Sequence, residues 1–401
     1  MSLPRLPDAA LIALRNAQVF APDPLGIQHL LLGGGKVLWM GEHWQDLPAD
    51  LGVETLDLEG RRLIPGLIDG HVHVTGGGGE AGFRTRVPGL GLSHYSAHGI
   101  TTVIGLLGTD TVARGPRDLL AAMYALREEG LSAFGHLGGY HLPTATLTGS
   151  VRSDLVFLEP LIGVGELAIS DHRSSQPTLD ELLRIAADAH VAGLMTGKAG
   201  IVHLHLGDGE RGLDLVHRAL TQSELPARVF QPTHVNRRRA LFDEAVALSR
   251  RGVPMDVTAF PVEEAEDAWT AADAFIRWRD AGAPMDRLTI SSDAGGCLPC
   301  FDEHGHVCGM DVGKPGALLA TLAELLERGV ALETALPAFT ANVATTLRLS
   351  HKGRIGIGLD ADLVCLDERH AALHVIARGR IHRRHGAQQI VGTFERVSAL
   401  M

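Results

Sequence analysis

The amino-acid sequence predicts an α/β protein, a (β/α)8 TIM barrel with a small β-sandwich domain built from both termini. Three observations favour this fold. From about residue 64 onward, short apolar runs alternate with helix-length segments, and this alternation implies a parallel sheet. About eight such units fit a closed barrel. The two end segments instead show short strands and turns, and 401 residues are enough for both parts.

The domain limits follow from this change of pattern. We expect residues 1–63 to form the N-terminal part of the β-sandwich, residues 64–345 the barrel, and residues 346–401 the C-terminal part of the sandwich. Runs such as "HLLLGGGKVLWMG" and "ALHVIARGRIHRRHG" have the pattern of strands and turns in the two ends. Packing the two ends together leaves the barrel as an insertion in the smaller domain.

The barrel segment divides into predicted strands and predicted helices. Because functional side chains of such barrels lie at the C-terminal ends of the strands, those ends are where we expect chemistry. The runs are, in order, "TTVIGLL" (101–107), "DLLAAMYALREEG" (118–130), "SAFGHLGGY" (132–140), "LIGVGELAIS" (161–170), "LDELLRIAADAHVAG" (179–193), "IVHLHLGD" (201–208), "RVFQPTHVN" (228–236), "ALFDEAVALSRRG" (240–252), "VPMDVTAF" (253–260) and "LTISSDAGG" (288–296).

Charge and composition exclude several classes of protein. The net charge of -11 argues against a nucleic-acid partner, because no basic field attracts phosphates. No apolar run is long enough to span a bilayer, so we expect no membrane partner. Four cysteines with no signal peptide ahead of them favour a reduced compartment. The sequence therefore predicts a soluble cytoplasmic protein.

Histidines and carboxylates recur at the predicted strand ends. His71 and His73 are two residues apart in a strand, so they face the same way. His203 shares a face with His205 but sits deeper in its strand, and we expect it to pack. Neutral imidazole and carboxylate suit Zn²⁺ and similar metals. The predicted ligands are His71, His73, Glu166, His205, His234 and Asp293.

These segments resemble those of a known family. The chain is similar to the amidohydrolase superfamily and, within it, to the bacterial isoaspartyl (β-aspartyl) dipeptidases. The resemblance covers nearly the whole chain and implies a homo-oligomer. It rests on "PGLIDGHVHVTGGGGEAG", "GLLGTD", "GGYHLPTATLTGSV", "AISDHRS", "HLGD", "PTHVNR" and "SSDAGG".

The resemblance implies a zinc-dependent metallopeptidase. Its substrate is a β-aspartyl dipeptide, whose isopeptide bond is cleaved by a metal-activated hydroxide. Two zinc ions per subunit are bound by the residues that match His71, His73, His205, His234 and Asp293. Two metals bridged by a carboxylate make hydroxide at neutral pH and polarise a carbonyl.

The resemblance also implies roles at the substrate. Asp293 takes a proton from the hydroxide and returns it to the leaving amine, and Tyr140 stabilises the oxyanion. Glu80 can pair with the free α-amine, and the glycines before it, Gly78 among them, let the backbone approach the substrate. Further substrate contacts match Thr109, Arg173 and Arg237, and the two arginines bind carboxylates.

Two positions depart from the family pattern. The family's bridging ligand is a carbamylated lysine, and this sequence has Glu166 at that position, in a segment one residue longer. Lys198 precedes the next strand, at the wrong mouth of the barrel. Our hypothesis is that Glu166 and a hydroxide bridge the two zinc ions, and the alternative is a single-metal site. Cys297 stands where the family has a serine that contacts the substrate carboxylate, and a thiol is a weaker hydrogen-bond donor.

Other readings of the sequence stay open. One alternative is a different amidohydrolase activity, such as an N-acyl-amino-acid deacylase or a cyclic-amide hydrolase. Glu80 discriminates, because a substrate without a free amine has no use for it. A non-catalytic binding module is disfavoured, since no predicted ligand is lost. The run "CLPCFDEHGHVC" (297–308) is predicted to be a loop over the site, with a structural zinc as the alternative.

Overall fold

The computed structural model describes residues 11–263, 266–301 and 307–395. Strands from both ends of the chain flank a parallel sheet whose strands alternate with helices. The first five strands are β1 (Ile12–Phe20), β2 (Pro24–Gly33), β3 (Lys36–Gly41), β4 (Glu54–Asp57) and β5 (Arg62–Pro65). The eight parallel strands are β6 (Leu67–Val72), β7 (Ile100–Gly105), β8 (Ser132–Leu137), β9 (Leu161–Ser170), β10 (Ile201–Leu206), β11 (Phe230–Thr233), β12 (Met255–Thr258) and β13 (Leu288–Ser291).

A hairpin and four more strands follow. They are β14 (Cys297–Phe301), β15 (Val307–Val312), β16 (Leu363–Leu366), β17 (Ala372–Ala377), β18 (Arg380–Arg384) and β19 (Ala387–Gln388). The helices are α1 (Leu92–Ser96), α2 (Pro116–Glu129), α3 (Val151–Phe157), α4 (Leu179–Thr196), α5 (Asp214–Gln222), α6 (Arg239–Ser249), α7 (Ala271–Asp280), α8 (Gly316–Glu327), α9 (Leu332–Ala335) and α10 (Ala341–Thr346). Short 3-10 turns lie at Ala49–Leu51, Phe83–Thr85, Ala227–Val229, Met285–Arg287 and Leu336–Phe339.

The parallel strands form a curled six-stranded sheet, β6 to β11, followed by the parallel pair β12–β13. Two backbone hydrogen bonds connect the pair to the sheet. Val235 N donates to Asp256 O at 3.3 Å, and His73 N donates to Ala294 O at 2.8 Å. The α/β class and the strand–helix alternation are therefore confirmed. Every residue of β6, β7, β9 and β10 is buried, which explains why these strands are continuous apolar runs in the sequence.

Local sequence signals set the limits of the longest helix, α4. Thr178 accepts a hydrogen bond from Glu181 N through its side chain, and Glu181 accepts one from Thr178 N at 2.8 Å. This capping box satisfies two amide groups at the first turn. The helix ends at Gly197, where φ is +76° and a side chain would be strained.

The two ends of the chain meet in one nine-stranded sheet. Strand β5 pairs in parallel with β1 and antiparallel with β16, so it lies between strands from the two termini. A separate sheet built from both termini is thus confirmed. The two-layered sandwich and the limits at residues 63 and 345 stay predictions. No described helix has the length and apolar character needed to cross a membrane.

A buried lysine connects the nine-stranded sheet to the parallel sheet through side-chain hydrogen bonds. Lys352 donates to Asp362, just before β16, and to Ser132 Oγ in β8 at 2.7 Å. The side chains of Lys352 and Asp362 are each only 6% exposed. A buried pair of this kind is costly to break from one side, because the remaining charge is left without a partner.

We expect Lys352→Met to lower the free energy of unfolding by about 3 kcal/mol, because it leaves the buried Asp362 carboxylate uncompensated. Urea unfolding followed by circular dichroism measures the change. The matched control is Lys314→Met, since the Lys314 side chain is 75% exposed and its partner Asp311 is exposed as well. That control should cost less than about 1 kcal/mol. Equal losses in the two variants would contradict the role given to burial.

Candidate active site

The six predicted ligands lie at the C-terminal ends of the parallel strands. His71 lies in β6, with His73 just beyond it, and His205 lies in β10. Among these six residues, two triplets bring ligand atoms within 4.8 Å of one another. They are His71 with Glu166 and His234, and His71 with His73 and Asp293. The fold therefore gathers all six residues, which are distant in sequence, at one buried point.

Glu166 stands at the centre of this cluster. Its Oε2 lies 3.0 Å from His205 Nδ1 and 3.3 Å from His234 Nε2. Its Oε1 lies 3.5 Å from His73 Nε2. The two oxygens of one carboxylate thus face different imidazoles, as a bridging ligand requires.

A β-bulge carries Glu166 to this position. Val164 pairs with Val202 and Leu167 with Leu204, so Gly165 and Glu166 together oppose the single residue His203. A bulge of this kind re-aims a side chain next to a functional site. Gly165 has φ +144°, and a Cβ on it would lie 2.5 Å from His203 O, so only glycine fits. A bulge adds one residue to a strand, so it can accommodate the longer segment that the sequence predicts.

Asp293 faces the cluster from the turn after β13. Its Oδ1 lies 3.1 Å from His73 Nε2 and 3.4 Å from His71 Nε2. Within the described residues, neither Asp293 Oδ1 nor His71 Nε2 has a hydrogen-bond partner. The neighbouring Ser292 anchors the turn, because its amide and hydroxyl both donate to the buried Asp69 of β6.

Three of the four imidazoles are also held from their outer side. His234 Nδ1 lies 2.7 Å from Thr258 Oγ1, and His205 Nε2 lies 3.0 Å from Asp171 Oδ2. His71 Nδ1 lies 2.9 Å from His203 Nε2, so His203 packs in the interior as expected and also contacts a predicted ligand. Such outer partners fix the orientation of metal-binding histidines.

Sequence reasoning missed Thr258 and Asp171. Thr258 is the last residue of β12 and so satisfied the strand-end rule, but a hydroxyl is a weak signal. Asp171 follows β9 directly, within the "AISDHRS" segment, and was passed over in favour of Arg173. Neither position gives a pattern that separates an outer partner from an ordinary polar residue.

The electrostatics of the cluster favour a cation. Burial lowers the pKa of His71, but the Glu166 and Asp293 carboxylates outweigh burial and raise the pKa to about 9. Burial raises the pKa of Glu166, but His71, His205 and His234 outweigh it and hold this pKa well below its usual range. Positive charge is thus stabilised where the inner nitrogens converge. The imidazole and carboxylate set, with the unpartnered Asp293 oxygen, fits a divalent metal such as zinc.

A cavity of about 670 Å³ opens onto the cluster. Four of the six predicted ligands line this cavity, and they are His73, Glu166, His205 and Asp293. The predicted substrate contacts line the same space, and they are Gly78, Glu80, Thr109, Tyr140, Arg173, Arg237 and Cys297.

Glu80 and Tyr140 are connected to the cluster through one arginine. Arg173 Nη1 donates to Glu80 Oε1 at 3.2 Å, and its Nη2 donates to Asp171 Oδ2 at 2.7 Å. Its guanidinium also lies over the Tyr140 ring, 5.4 Å from the centroid. Tyr140 Oη is 2.9 Å from His205 Nδ1, and burial raises the pKa of this phenol well above its usual value, so it is protonated and can donate.

The glycine loop before Glu80 is fixed by a buried arginine. Arg114 Nη1 donates to Gly77 O at 2.9 Å, and its Nη2 donates to Val87 O at 2.7 Å. Gly78 has φ +73°, and a Cβ on it would lie 2.4 Å from Thr85 O. The glycine run therefore allows close backbone packing as well as access to the cavity.

A model of the amidohydrolase family matches residues 62–393. The chain belongs to the amidohydrolase family.

Solved structures and a curated relative place this amidohydrolase more closely. One similar structure is the crystal structure of a beta-aspartyl dipeptidase from Fervidobacterium islandicum AW-1 in complex with a beta-Asp-Leu dipeptide. Its sequence is 40% identical and its TM-score is 0.92, and the match covers 97% of this chain and 100% of that chain. A second structure from that organism has 39% identity, a TM-score of 0.87 and coverage of 96% and 100%. A deacetylase from Agrobacterium fabrum is 25% identical over 376 residues, which are 84% of this chain and 78% of the relative. The predicted resemblance to the β-aspartyl dipeptidases is thus confirmed.

The structure shows the contacts of Lys198 and Cys297, the two residues considered above where the sequence departs from the family pattern. Lys198 Nζ donates to Leu155 O at 2.6 Å and Leu158 O at 2.8 Å, so it is engaged at the end of α3. Cys297 begins the hairpin, and its Sγ lies 3.2 Å from Met310 Sδ. The possible structural zinc site also needs His304 and His306, which lie outside the described residues, and the side chains of Cys300 and Cys308 are not described either.

We expect Asp171→Asn to weaken zinc binding about tenfold or more, because an amide loses the charge that orients His205. Competition with a fluorescent chelator measures the affinity. Asp214→Asn is the matched control, since the Asp214 side chain is 54% exposed in its pair with Arg218 and does not line the cavity. The control should bind zinc as the unmodified protein does. A loss confined to Asp214→Asn, or shared by both variants, would overturn the assignment.

Proposed function

We propose that this chain hydrolyses the isopeptide bond of β-aspartyl dipeptides. One observation carries the proposal. A single cavity combines the Glu80 carboxylate and the Arg173 and Arg237 guanidiniums with the histidine–carboxylate cluster. A β-aspartyl dipeptide carries a free α-amine and two free carboxylates around its isopeptide bond. The cavity offers groups of opposite charge for both, and the 40% identical enzyme is described with beta-Asp-Leu bound.

We also propose a two-zinc centre. His71, His73 and Asp293 would hold one ion and His205 and His234 the other, with Glu166 shared between them. The support is the division of the Glu166 oxygens between different imidazoles. When bound, zinc lowers the pKa of a water molecule and polarises an amide carbonyl.

The chain's own residues orient the substrate. Glu80 pairs with the α-amine, and Arg237, half-buried at the cavity wall, binds a carboxylate. Arg173 is already paired with Asp171 and Glu80, so it has fewer free N–H groups for the substrate than Arg237. Thr109 and the Gly78 backbone line the remaining wall.

Two residues act on the reacting atoms. The Tyr140 hydroxyl donates a hydrogen bond to the carbonyl oxygen, which becomes negative when the amide carbon is attacked. Asp293 accepts a proton from the attacking water and delivers it to the departing amine. The pKa of Asp293 supports the first half of this role: burial raises it, but His71 and His73 outweigh burial and lower it, so the group is an ionised acceptor.

We also propose that the eight parallel strands close into a barrel. The bonds from Val235 to Asp256 and from His73 to Ala294 support a closed (β/α)8 barrel in which β12 and β13 complete the ring. Closure would bring the first and last ligands, His71 and Asp293, to adjacent strands. A cytoplasmic location and a homo-oligomeric assembly stay predictions.

The alternative is a different amidohydrolase activity such as N-acyl-amino-acid deacylation. Two observations favour it. Glu80 already has Arg173 as a partner, so its charge does not require an amine. A deacetylase is also among the curated relatives, at 25% identity. The two functions differ in whether the substrate must carry a free α-amine.

We expect the zinc-loaded protein to cleave β-aspartyl-leucine, to cleave its N-acetylated form much more slowly, and to leave its α-linked isomer intact. Acetylation removes the cationic partner of Glu80, and a lost charge-assisted bond lowers kcat/KM about 10- to 100-fold. Amine release followed by chromatography measures the rates. Faster cleavage of the acetylated compound would favour the deacylase instead.

We expect Glu166→Gln to reduce the bound zinc from two ions to one per subunit, because a neutral amide is a poor bridging ligand. Metal analysis and anomalous scattering at the zinc edge count the ions. Added bicarbonate should leave the activity of the unmodified protein unchanged, since no lysine has to be carbamylated. A single ion at full loading of the unmodified protein would contradict the bridge.

A further inference from the structure

A row of three polar side chains, Gln231, His203 and His71, leads from the interior of the parallel sheet to the six predicted ligands. Gln231 and His203 are partners in the parallel register of β11 and β10. Gln231 Oε1 lies 3.1 Å from His203 Nδ1, and His203 Nε2 lies 2.9 Å from His71 Nδ1. All three residues are buried, with exposures of 3% or less. The row therefore connects a neutral amide to a candidate metal ligand without passing through solvent.

The direction of the hydrogen bonds follows from the atoms at each end. An amide oxygen only accepts, so the nitrogen facing Gln231 must carry a proton. A neutral imidazole has one N–H, which leaves His203 Nε2 as an acceptor towards His71. His71 must then carry a proton on Nδ1, which leaves Nε2, the nitrogen that faces Glu166 and Asp293, as the one that can give up its proton and offer a lone pair. That lone pair is what a metal ion needs.

The packing around His203 holds its ring in this orientation. His136 stacks on it, with the two ring planes 17° apart and their centroids 5.1 Å apart. On the bulge side, Gly165 approaches so closely that a Cβ would lie 2.8 Å from the His203 Cβ. The ring has little room to turn over and exchange its two nitrogens.

We propose that Gln231 and His203 are positioning residues that set the tautomer of His71 for metal binding. The inference rests on the metal centre of the proposed function. It adds that the Gln231 amide, two hydrogen bonds away, determines which ring nitrogen of His71 is available to the metal. Without the Gln231 acceptor, the His203 proton can move to Nε2 and force the His71 proton onto the nitrogen that faces the metal.

The test measures zinc affinity of the full-length protein by chelator competition. Gln231→Met keeps the length of the side chain but removes the acceptor, and it should weaken zinc binding about tenfold or more. His203→Leu should do the same. His203→Gln restores an acceptor for His71 Nδ1 and should stay within about threefold of the unmodified protein. Equal losses in His203→Gln and His203→Leu would show a packing role and overturn the proposal, as would unchanged affinity in Gln231→Met.

A second measurement does not depend on any variant folding. Selective ¹⁵N labelling of histidine in the zinc-loaded protein reports which ring nitrogen carries the proton. The proposal requires Nδ1–H on both His71 and His203, and a proton on His203 Nε2 would overturn it. Neither measurement uses a dipeptide. Zinc binding with the expected tautomers but no hydrolysis would therefore refute the proposed substrate alone, whereas hydrolysis with zinc affinity unaffected in Gln231→Met would refute the positioning role alone.

Discussion

The burial of one carboxylate among several imidazoles is the constraint on which the site depends. Glu166 is 1% exposed, and a carboxylate removed from water is unfavourable unless cationic or donor groups surround it. His71 in β6, His205 in β10 and His234 directly after β11 supply those groups. The glycine that permits the bulge and the strand ends that aim the imidazoles all serve this one arrangement. A metal ion would neutralise the same charges that His71 partly balances with its raised pKa of about 9.

The arrangement extends outward in layers of hydrogen bonds. The cluster is backed by Thr258 and Asp171 on its outer side, and by His203 and Gln231 beneath it. Three of these partners, Thr258, His203 and Gln231, belong to parallel strands, so sheet register fixes their relative positions. Asp171 directly follows β9 and is fixed by its hydrogen bonds to Arg173 and His205. Loops enter mainly on the substrate side, where the glycine run and Arg114 shape the cavity wall.

The sequence allowed the parts that follow from strand periodicity to be predicted. His71 and His73 share a face because they are two residues apart, and strand ends converge in a parallel fold, so the six ligands were found together. The partners that hold them were not, because side-chain contacts between strands depend on register. His203 shows the limit: its depth in the strand was correctly judged, but its hydrogen bond to His71 could not be inferred from depth. Periodicity gave no indication that Arg173 pairs with Asp171 as well as with Glu80.

The chain from Glu80 through Arg173 to Asp171 and His205 has a consequence for how such a protein changes over evolutionary time. Glu80, which we propose selects the substrate, and Asp171, which we propose supports the metal site through His205, share one guanidinium. A lineage that exchanges Glu80 to accept a different substrate also alters the charge around Arg173, and with it the hold on Asp171. New specificity in this architecture is therefore constrained by the catalytic centre, and compensating substitutions are needed along the chain before a large change at Glu80 is tolerated.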